Sequence, residues 1–314
     1  MKVLVTGATG FFGSHIVRIL AARGHRPIAL HRAGSNLDRL KRLAAGPDSF
    51  RQAVADIRIV GDIARVLDDI RPDAVVHAAA YGVDYREQDL EEAVATNVTA
   101  TGELVTAARR SGVRRFLHVG TCFEYGNHDG PLGEASALRP NSLYGSTKAG
   151  GSLLALALAG AGPGDLDLCV VRPFGMYGPL EGGHKFVPQV LAAARRGMPM
   201  ECSPGGQERD YSYVGDIAEA CGRLLTLDRF PAGQAVNLAS GRTITMRRLA
   251  KTAAAVAGSS GGFLNWGAHP YRPGETMRIE ADTAKARSLL GDLPGRSLAD
   301  GLRETLAWED MHFA

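Results

Sequence analysis

The chain is short of several features that mark whole classes of protein. Its four cysteines, Cys122, Cys169, Cys202 and Cys221, form no C-x-x-C pair and stand at no metal-ligand spacing with histidine. That excludes a disulfide framework and a zinc module, fits a reducing compartment, and leaves no metal expected. No apolar run approaches the about 20 residues of a membrane span; the longest small-apolar stretch runs from Leu153 to Gly162. The opening MKVLVTG is too short an apolar stretch for a signal peptide, so a cytoplasmic protein without a membrane partner is expected. Charge of one sign does not dominate either, with 36 Lys and Arg against 33 Asp and Glu and a net charge of +3. The densest basic cluster, Arg109, Arg110, Arg114 and Arg115, flanks Gly112 at a helix-to-strand turn and reads as a solvated helix end, so no nucleic-acid partner is expected. Repeats and low-complexity tracts are absent.

What is present is a foldable chain, 314 residues with 45% hydrophobic and 22% charged, enough for a large domain and a smaller one. Apolar runs at 3–7, 27–31, 74–80, 115–121 and 168–173 alternate with segments of helical period, the pattern of an α/β protein whose parallel sheet is covered by helices. After Pro173 the alternation gives way to Gly/Pro-rich pieces, GPLEGGH, ECSPGGQERDYSY and HPYRPGE, which read as loops converging on a ligand. The expected division is 1–173 for a dinucleotide domain, to which a helix near 213–228 and a strand near 234–239 return (213–240), and 174–212 with 241–314 for a smaller C-terminal α/β substrate domain.

Gly7, Gly10 and Gly13 are spaced G-x-x-G-x-x-G between the first strand and an amphipathic helix carrying Ile16, Val17 and Leu20. Such a turn lets a pyrophosphate approach backbone N–H groups at a helix N-terminus, the arrangement of a Rossmann-type, doubly wound sheet. At the end of the second strand an acid would hold the ribose 2′-hydroxyl of NAD, whereas an arginine accommodates the 2′-phosphate of NADP. The chain offers His31, Arg32 and Ser35 there, and no acid before Asp38, so NADP(H) is expected, with NAD(H) the alternative. Tyr144 and Lys148, in YGSTK, are four apart and share a helix face, where an ammonium can stabilise a phenolate. Thr121 adds a hydroxyl at the C-terminal end of a strand, where open α/β sheets bind ligands.

TGATGFFG, HAAA at 77–80, Asn97, GTCFEYG, YGSTK and RPFGMYGP, in this order and over nearly the whole chain, resemble the extended short-chain dehydrogenase/reductase family, the NAD(P)-dependent nucleotide-sugar epimerase, dehydratase and reductase group. The resemblance implies Tyr144 as proton donor or acceptor, Lys148 as the group that tunes it and holds the nicotinamide ribose, and Thr121 as hydrogen-bond partner of the reacting oxygen. It implies cofactor contacts from Gly7, Thr9, Gly10, Phe11, Phe12 and Gly13, from the Asp56–Ile57 pair at the adenine, and from Asn97 and Pro173. Ala78, Ala79 and Ala80 are small enough to let the cofactor pass close. ERDYSYVGDIAEA and YRPGE are similar to the regions that clamp a substrate diphosphate, so Arg209, Arg272 and Glu275, with Lys185, Cys122 and Gly175, are expected at a nucleoside-diphosphate sugar. Gly175 departs from the family's usual Asn. Arg209 and Arg272 read as planar cations in flexible loops.

Family members that eliminate water carry an acid and a base directly after the Thr, but here stand Cys122 and Phe123, which argues against a 4,6-dehydratase. Glu124, on the opposite side of the strand by alternation, reads as structural. An NAD-dependent epimerase needs no such pair but keeps its NAD, which the missing acid disfavours. The expectation is an NADPH-dependent reductase of a nucleoside-diphosphate 4-keto-6-deoxyhexose, the 4-keto and 6-deoxy features resting on resemblance alone. A non-catalytic NADP(H)-sensing module is the distant alternative. His77 reads as a hydrogen-bonded structural histidine, His184 as a substrate contact or a solvated loop residue, Cys122 as a packed thiol or an acid/base, and Trp266 and Tyr271 as packing or stacking groups. Small and aliphatic residues at 93–110 and 145–160 suggest a helix-bundle homodimer.

Overall fold

The computed structural model describes the chain except residues 45, 47, 161–165, 273, 294 and 314 and the side chains of 60, 309, 312 and 313. Its first half alternates β1 (Lys2–Thr6), α1 (Phe11–Ala22), β2 (Arg26–His31), α2 (Asp38–Leu43), β3 (Arg51–Val54), α3 (Val60–Ile70), β4 (Ala74–His77), α4 (Leu90–Val94), α5 (Ala100–Arg110), β5 (Arg115–Val119), α6 (Leu143–Ala159) and β6 (Asp167–Pro173). The second half adds β7 (Gly175–Tyr177), α7 (Phe186–Arg196), β8 (Met200–Cys202), β9 (Glu208–Tyr213), α8 (Val214–Leu225), β10 (Gln234–Leu238), β11 (Thr243–Thr245), α9 (Met246–Val256), β12 (Leu264–Trp266), β13 (Arg278–Ile279), α10 (Ala284–Leu290) and α11 (Leu298–Phe313).

Seven strands make one sheet in the order β10-β6-β5-β4-β1-β2-β3, parallel throughout. Parallel strands covered on both faces read as continuous apolar runs, and Val3, Leu4 and Val5 of β1 are fully buried. One face packs on α1, α8 and α10 through Ile16, Val17, Leu20, Ile217, Leu224 and Leu290. The other packs on α3, α5 and α6 through Ile63, Leu67, Leu104 and Ala155. The expected Rossmann-type sheet is therefore observed, and the chain reverses its direction of winding between β1 and β4, where such sheets open a crevice at their C-terminal edge. A second core joins α7, α9 and α11 through Val187, Leu191, Leu249 and Leu302 beside Tyr177 and Tyr213.

Several expectations need correction. β3 was not foreseen, because its residues are mostly exposed on the sheet edge and lack an apolar run. Ala78, Ala79 and Ala80 lie beyond the end of β4 rather than within a strand. The supposed loop ECSPGGQERDYSY holds the end of β8 and all of β9, whose partners β7, β11 and β13 come from distant parts of the chain. The helix expected over 93–110 is interrupted by a π-helical turn, Ala95–Thr99. Residues 161 and 162, the end of the apolar run that begins at Leu153, lie outside the described residues. Among those described, no helix is long and apolar enough to cross a membrane.

Candidate active site

The dinucleotide loop is set by backbone contacts that tolerate no side chain. Gly7 has φ +64°, and a Cβ there would lie 2.5 Å from Ala79 N; one on Gly13 would lie 2.2 Å from Gly7 O. Gly10 caps α1 and donates its N–H to Gly7 O at 2.9 Å. No acid occupies the first turn of α1, so its N–H groups and dipole present an anion site. Phe12 packs on the main core and Phe11 meets the His15 ring edge-on, which anchors that turn. Gly13→Ala should lower stability by about 1–3 kcal/mol and weaken dinucleotide binding, because the clash is backbone against backbone. Urea unfolding and a cofactor titration of the variant check this.

At the end of β2, His31 bonds to the Arg32 carbonyl at 3.0 Å and to Gln52 at 3.1 Å, Ser35 N donates to Arg32 O, and the Arg32 side chain is exposed. Asp56 receives Arg58 Nε at 3.0 Å and Nη2 at 2.6 Å, and Arg58 also reaches Glu92. That hydrogen bonding holds the Asp56 carboxyl below its ordinary pKa. Beside the half-buried Ile57, the Asp56 carboxylate is thus already paired.

Asn97, fully buried in the π-helical turn, accepts from Tyr81 N and donates to Tyr81 O and Thr147 Oγ1, each at 2.9 Å. Its amide ties the 78–81 loop to α6, placing it as a brace behind the crevice. A Cβ on Gly151 would lie 2.1 Å from Asn97 O, so α6 needs glycine to approach. His77 bonds to Thr6 at 2.7 Å and Thr101 at 2.9 Å and is fully buried, the structural arrangement expected of it. Pro173, at the end of β6, is buried beside its β10 partner Leu238.

Tyr144 and Lys148 lie on the first turns of α6, which Ser142 caps through Gly145 N. Lys148 Nζ is buried without a hydrogen-bond partner among the described residues, and burial lowers its pKa to about 8. An orphaned ammonium costs several kcal/mol unless something fills its bonding capacity, and a ribose diol does so. Together with the glycine cradle, it makes these residues fit a nicotinamide dinucleotide. Tyr144 is half-buried and desolvation pushes its phenol pKa up, with a Thr121 hydrogen bond opposing. The Phe123 ring stands edge-on to Tyr144 with centroids 6.3 Å apart.

Thr121 caps a 3-10 turn, Cys122–Glu124, and the strand alternation invoked for Glu124 does not apply. Phe123 N donates to Thr121 Oγ1 at 3.3 Å, which leaves the Thr121 hydroxyl proton for Tyr144 or an oxygen bound beside it. Glu124 is fully buried: Oε1 accepts from Thr121 N at 3.0 Å and Ser152 Oγ at 2.8 Å, and Oε2 from Arg172 Nε at 2.8 Å. Arg172 continues to Tyr125 OH, which donates to Asn237 on β10. Cys122 is a buried neutral thiol, its pKa pushed up to about 12 by desolvation.

On the facing side, Arg209 is in strand β9 rather than in a flexible loop, and its Nη2 meets Glu275 at 2.7 Å. Asp210 beside it accepts from Ser240 N and Gly241 N, locking β9 to the end of β10. Arg272 lies over the Tyr85 ring at 4.6 Å, and Lys185 Nζ donates to Val83 O at 3.0 Å, so loops from both halves of the chain meet. His184 is exposed and 3.4 Å from Asp84. Trp266 takes the Arg247 guanidinium at 4.8 Å and packs on the second core, and Tyr271 OH receives Gly206 N. A Cβ on Gly175 would press within 3.3 Å of the Tyr211 ring and 2.8 Å of Asp210 O, so the glycine is what lets Tyr211 fill this wall. Sequence reading missed Arg172, Tyr211 and the half-buried Glu181, whose Oε2 has no hydrogen-bond partner among the described residues and whose pKa burial raises to about 8. Arg172 and Tyr211 meet groups dozens of residues away, Glu124 and Gly175, and the burial of Glu181 is a tertiary effect, so no local spacing signals them. Among the described residues no cluster of His, Cys, Asp or Glu could hold a metal ion.

Residues 3–239 match the model of the NAD dependent epimerase/dehydratase family. A dTDP-glucose 4,6-dehydratase of Streptomyces niveus is 33% identical over 98% of this chain and 92% of its own. A UDP-glucose 4-epimerase of Mycolicibacterium smegmatis is 31% identical over 98% and 97%. Among solved structures, a dTDP-glucose 4,6-dehydratase from Streptomyces venezuelae with NAD bound is similar at a TM-score of 0.87 and 31% identity, covering 99% of this chain and 98% of that one. A UDP-glucose 4-epimerase from Thermotoga maritima with UDP-glucose has a TM-score of 0.88 at 26% identity, with both chains fully covered. With its glycine loop, Tyr144 and Lys148 assembled at the crevice of a parallel sheet, the chain is an enzyme of the NAD dependent epimerase/dehydratase family, in the extended short-chain dehydrogenase/reductase group.

Proposed function

We propose that the enzyme reduces the ketone of a nucleoside-diphosphate 4-keto-6-deoxyhexose with NADPH. In this reading residues 1–173 with 213–240 hold the dinucleotide, and 174–212 with 241–314 hold the sugar nucleotide. The observation that carries it is the chemistry beyond Thr121: Cys122 is a neutral buried thiol, Phe123 is an aromatic ring, and both oxygens of Glu124 are taken. None of these three can serve as the acid–base pair an elimination of water requires. A bound nicotinamide would supply the hydride to C4. Thr121 polarises the carbonyl oxygen by a hydrogen bond from its hydroxyl and keeps its own proton, Tyr144 transfers its phenolic proton to the alkoxide as it forms, and Lys148 stabilises the phenolate left behind. Arg209 and Arg272 are offered to the diphosphate, Arg209 by exchanging Glu275 for phosphate oxygens.

The competing reading, an epimerase that retains NAD, draws on the likeness to UDP-glucose 4-epimerases and on the NAD bound in the Streptomyces venezuelae dehydratase. Against it stands the lack of a carboxylate at the end of β2. We expect purified protein to carry no dinucleotide by mass spectrometry and to bind NADPH at least about tenfold tighter than NADH by calorimetry, a gap of about 1.4 kcal/mol. Tightly held NAD would instead favour the epimerase. A purely sensing module is disfavoured by the intact Tyr144–Lys148 pair, and turnover of any keto sugar removes it. Homodimerisation through the helices is proposed on the exposure of Leu90, Val94 and Leu153.

A further inference from the structure

Arg32 was the residue expected to select the cofactor, yet its side chain stands in water, where its charge helps hold the Asp56 carboxyl low. A different cation is tied to the glycine loop. Arg39, on α2 directly after β2, donates Nη1–H to Thr9 O at 2.9 Å and Nε–H to Leu180 O at 3.1 Å. Thr9 belongs to the glycine loop, so this guanidinium is clamped between that loop and the 178–185 segment. Only two of its five N–H groups are used in those bonds. Among the described residues no carboxylate forms an ion pair with it, although it is partly buried. Nearby His15, whose Nε2 bonds to Pro179 O at 3.0 Å, is held neutral with a pKa of about 4 by burial, with Arg18 and Arg39 pushing in the same direction against Glu304.

A half-buried guanidinium with no counter-anion, held rigid by two carbonyls, is a poor choice for stability and a good one for a phosphate ester, since its remaining fork of donors needs no ordering when the anion arrives. We propose that Arg39, rather than Arg32, is the residue that binds a phosphate monoester on the adenosine ribose and so sets the preference for NADP over NAD. The assignment rests on the NADPH reading above, and it adds a consequence: the same side chain holds Leu180, which has a left-handed φ of 62°, so the phosphate site is joined to the loop that faces the substrate.

The test compares adenosine 2′,5′-bisphosphate with adenosine 5′-monophosphate, which differ only in the 2′-phosphate, by calorimetry on wild type, Arg39→Gln, Arg39→Lys and Arg32→Gln, with circular dichroism to confirm folding. Wild type should favour the bisphosphate at least tenfold. Arg39→Gln should lose that preference while keeping its affinity for the monophosphate within about twofold, Arg39→Lys should retain part of it, and Arg32→Gln should retain most. If wild type binds both ligands equally, the NADP reading itself falls. If wild type discriminates and Arg39→Gln still does, or if Arg39→Gln loses both ligands alike, Arg39 is only a structural tie and the proposal is overturned.

Discussion

Tyr144→Phe should lower kcat for keto-sugar reduction by about a hundredfold to ten-thousandfold while dinucleotide affinity stays within a few fold. The phenol is held protonated by burial, the form needed to give a proton to an alkoxide. Its removal takes away that proton and little else, since the edge-on contact with Phe123 is kept by a phenylalanine ring. The pH profile follows from Lys148. Burial has moved its pKa down to about 8, so the ammonium is present below that value and lost above it, and the rate should fall as pH rises through that region. Loss of NADPH absorbance with a nucleoside-diphosphate 4-keto-6-deoxyhexose, followed across pH for wild type and Tyr144→Phe, measures both effects. Undiminished turnover in the variant would take the phenol out of the chemistry.

The largest expected loss of stability comes from Arg172→Met. The Arg172 and Glu124 side chains are 4% and 0% exposed and 2.8 Å apart. Removing the guanidinium leaves a carboxylate in the interior with only Thr121 N and Ser152 Oγ for company, a loss of about 3–5 kcal/mol. Arg172 also bonds to Tyr125, which reaches Asn237 on β10, so the damage extends across the edge of the sheet. The double variant Glu124→Gln/Arg172→Met should recover most of the loss, because Gln keeps an acceptor for Thr121 N without a buried charge. Urea unfolding of the single and double variants decides it: a penalty below 1 kcal/mol for Arg172→Met, or no recovery in the double, would mean that the pair does not hold the Thr121 turn.

That network shows where sequence reasoning ran out. Glu124 is structural, as its sequence reading expects, but through a 3-10 turn and an ion pair with Arg172, 48 residues on, rather than through strand alternation. The reading of Arg209 as a loop cation failed for a similar reason. Its strand pairs with segments before and after it in the chain, and Gly/Pro-rich flanks hide a strand whose ladder is entirely non-local. Asn97 shows the same limit on a shorter scale, its amide being used by Tyr81 and Thr147 through a π-helical turn that composition does not announce.

What the sequence determined by itself was everything governed by local periodicity and near-neighbour spacing. The β-branched runs specify buried parallel strands, Gly7, Gly10 and Gly13 specify a turn only glycine can make, and Tyr144 and Lys148 share a helix face because 3.6 residues complete a turn. Tertiary structure decided what depends on which distant groups meet: that Glu124 is neutralised by Arg172, that Glu275 covers Arg209, and that Arg39 stands between Thr9 and Leu180 with no counter-charge among the described residues. Charge compensation and desolvation act through space, so only the folded chain reveals which ionised groups are already satisfied and which remain free for a ligand.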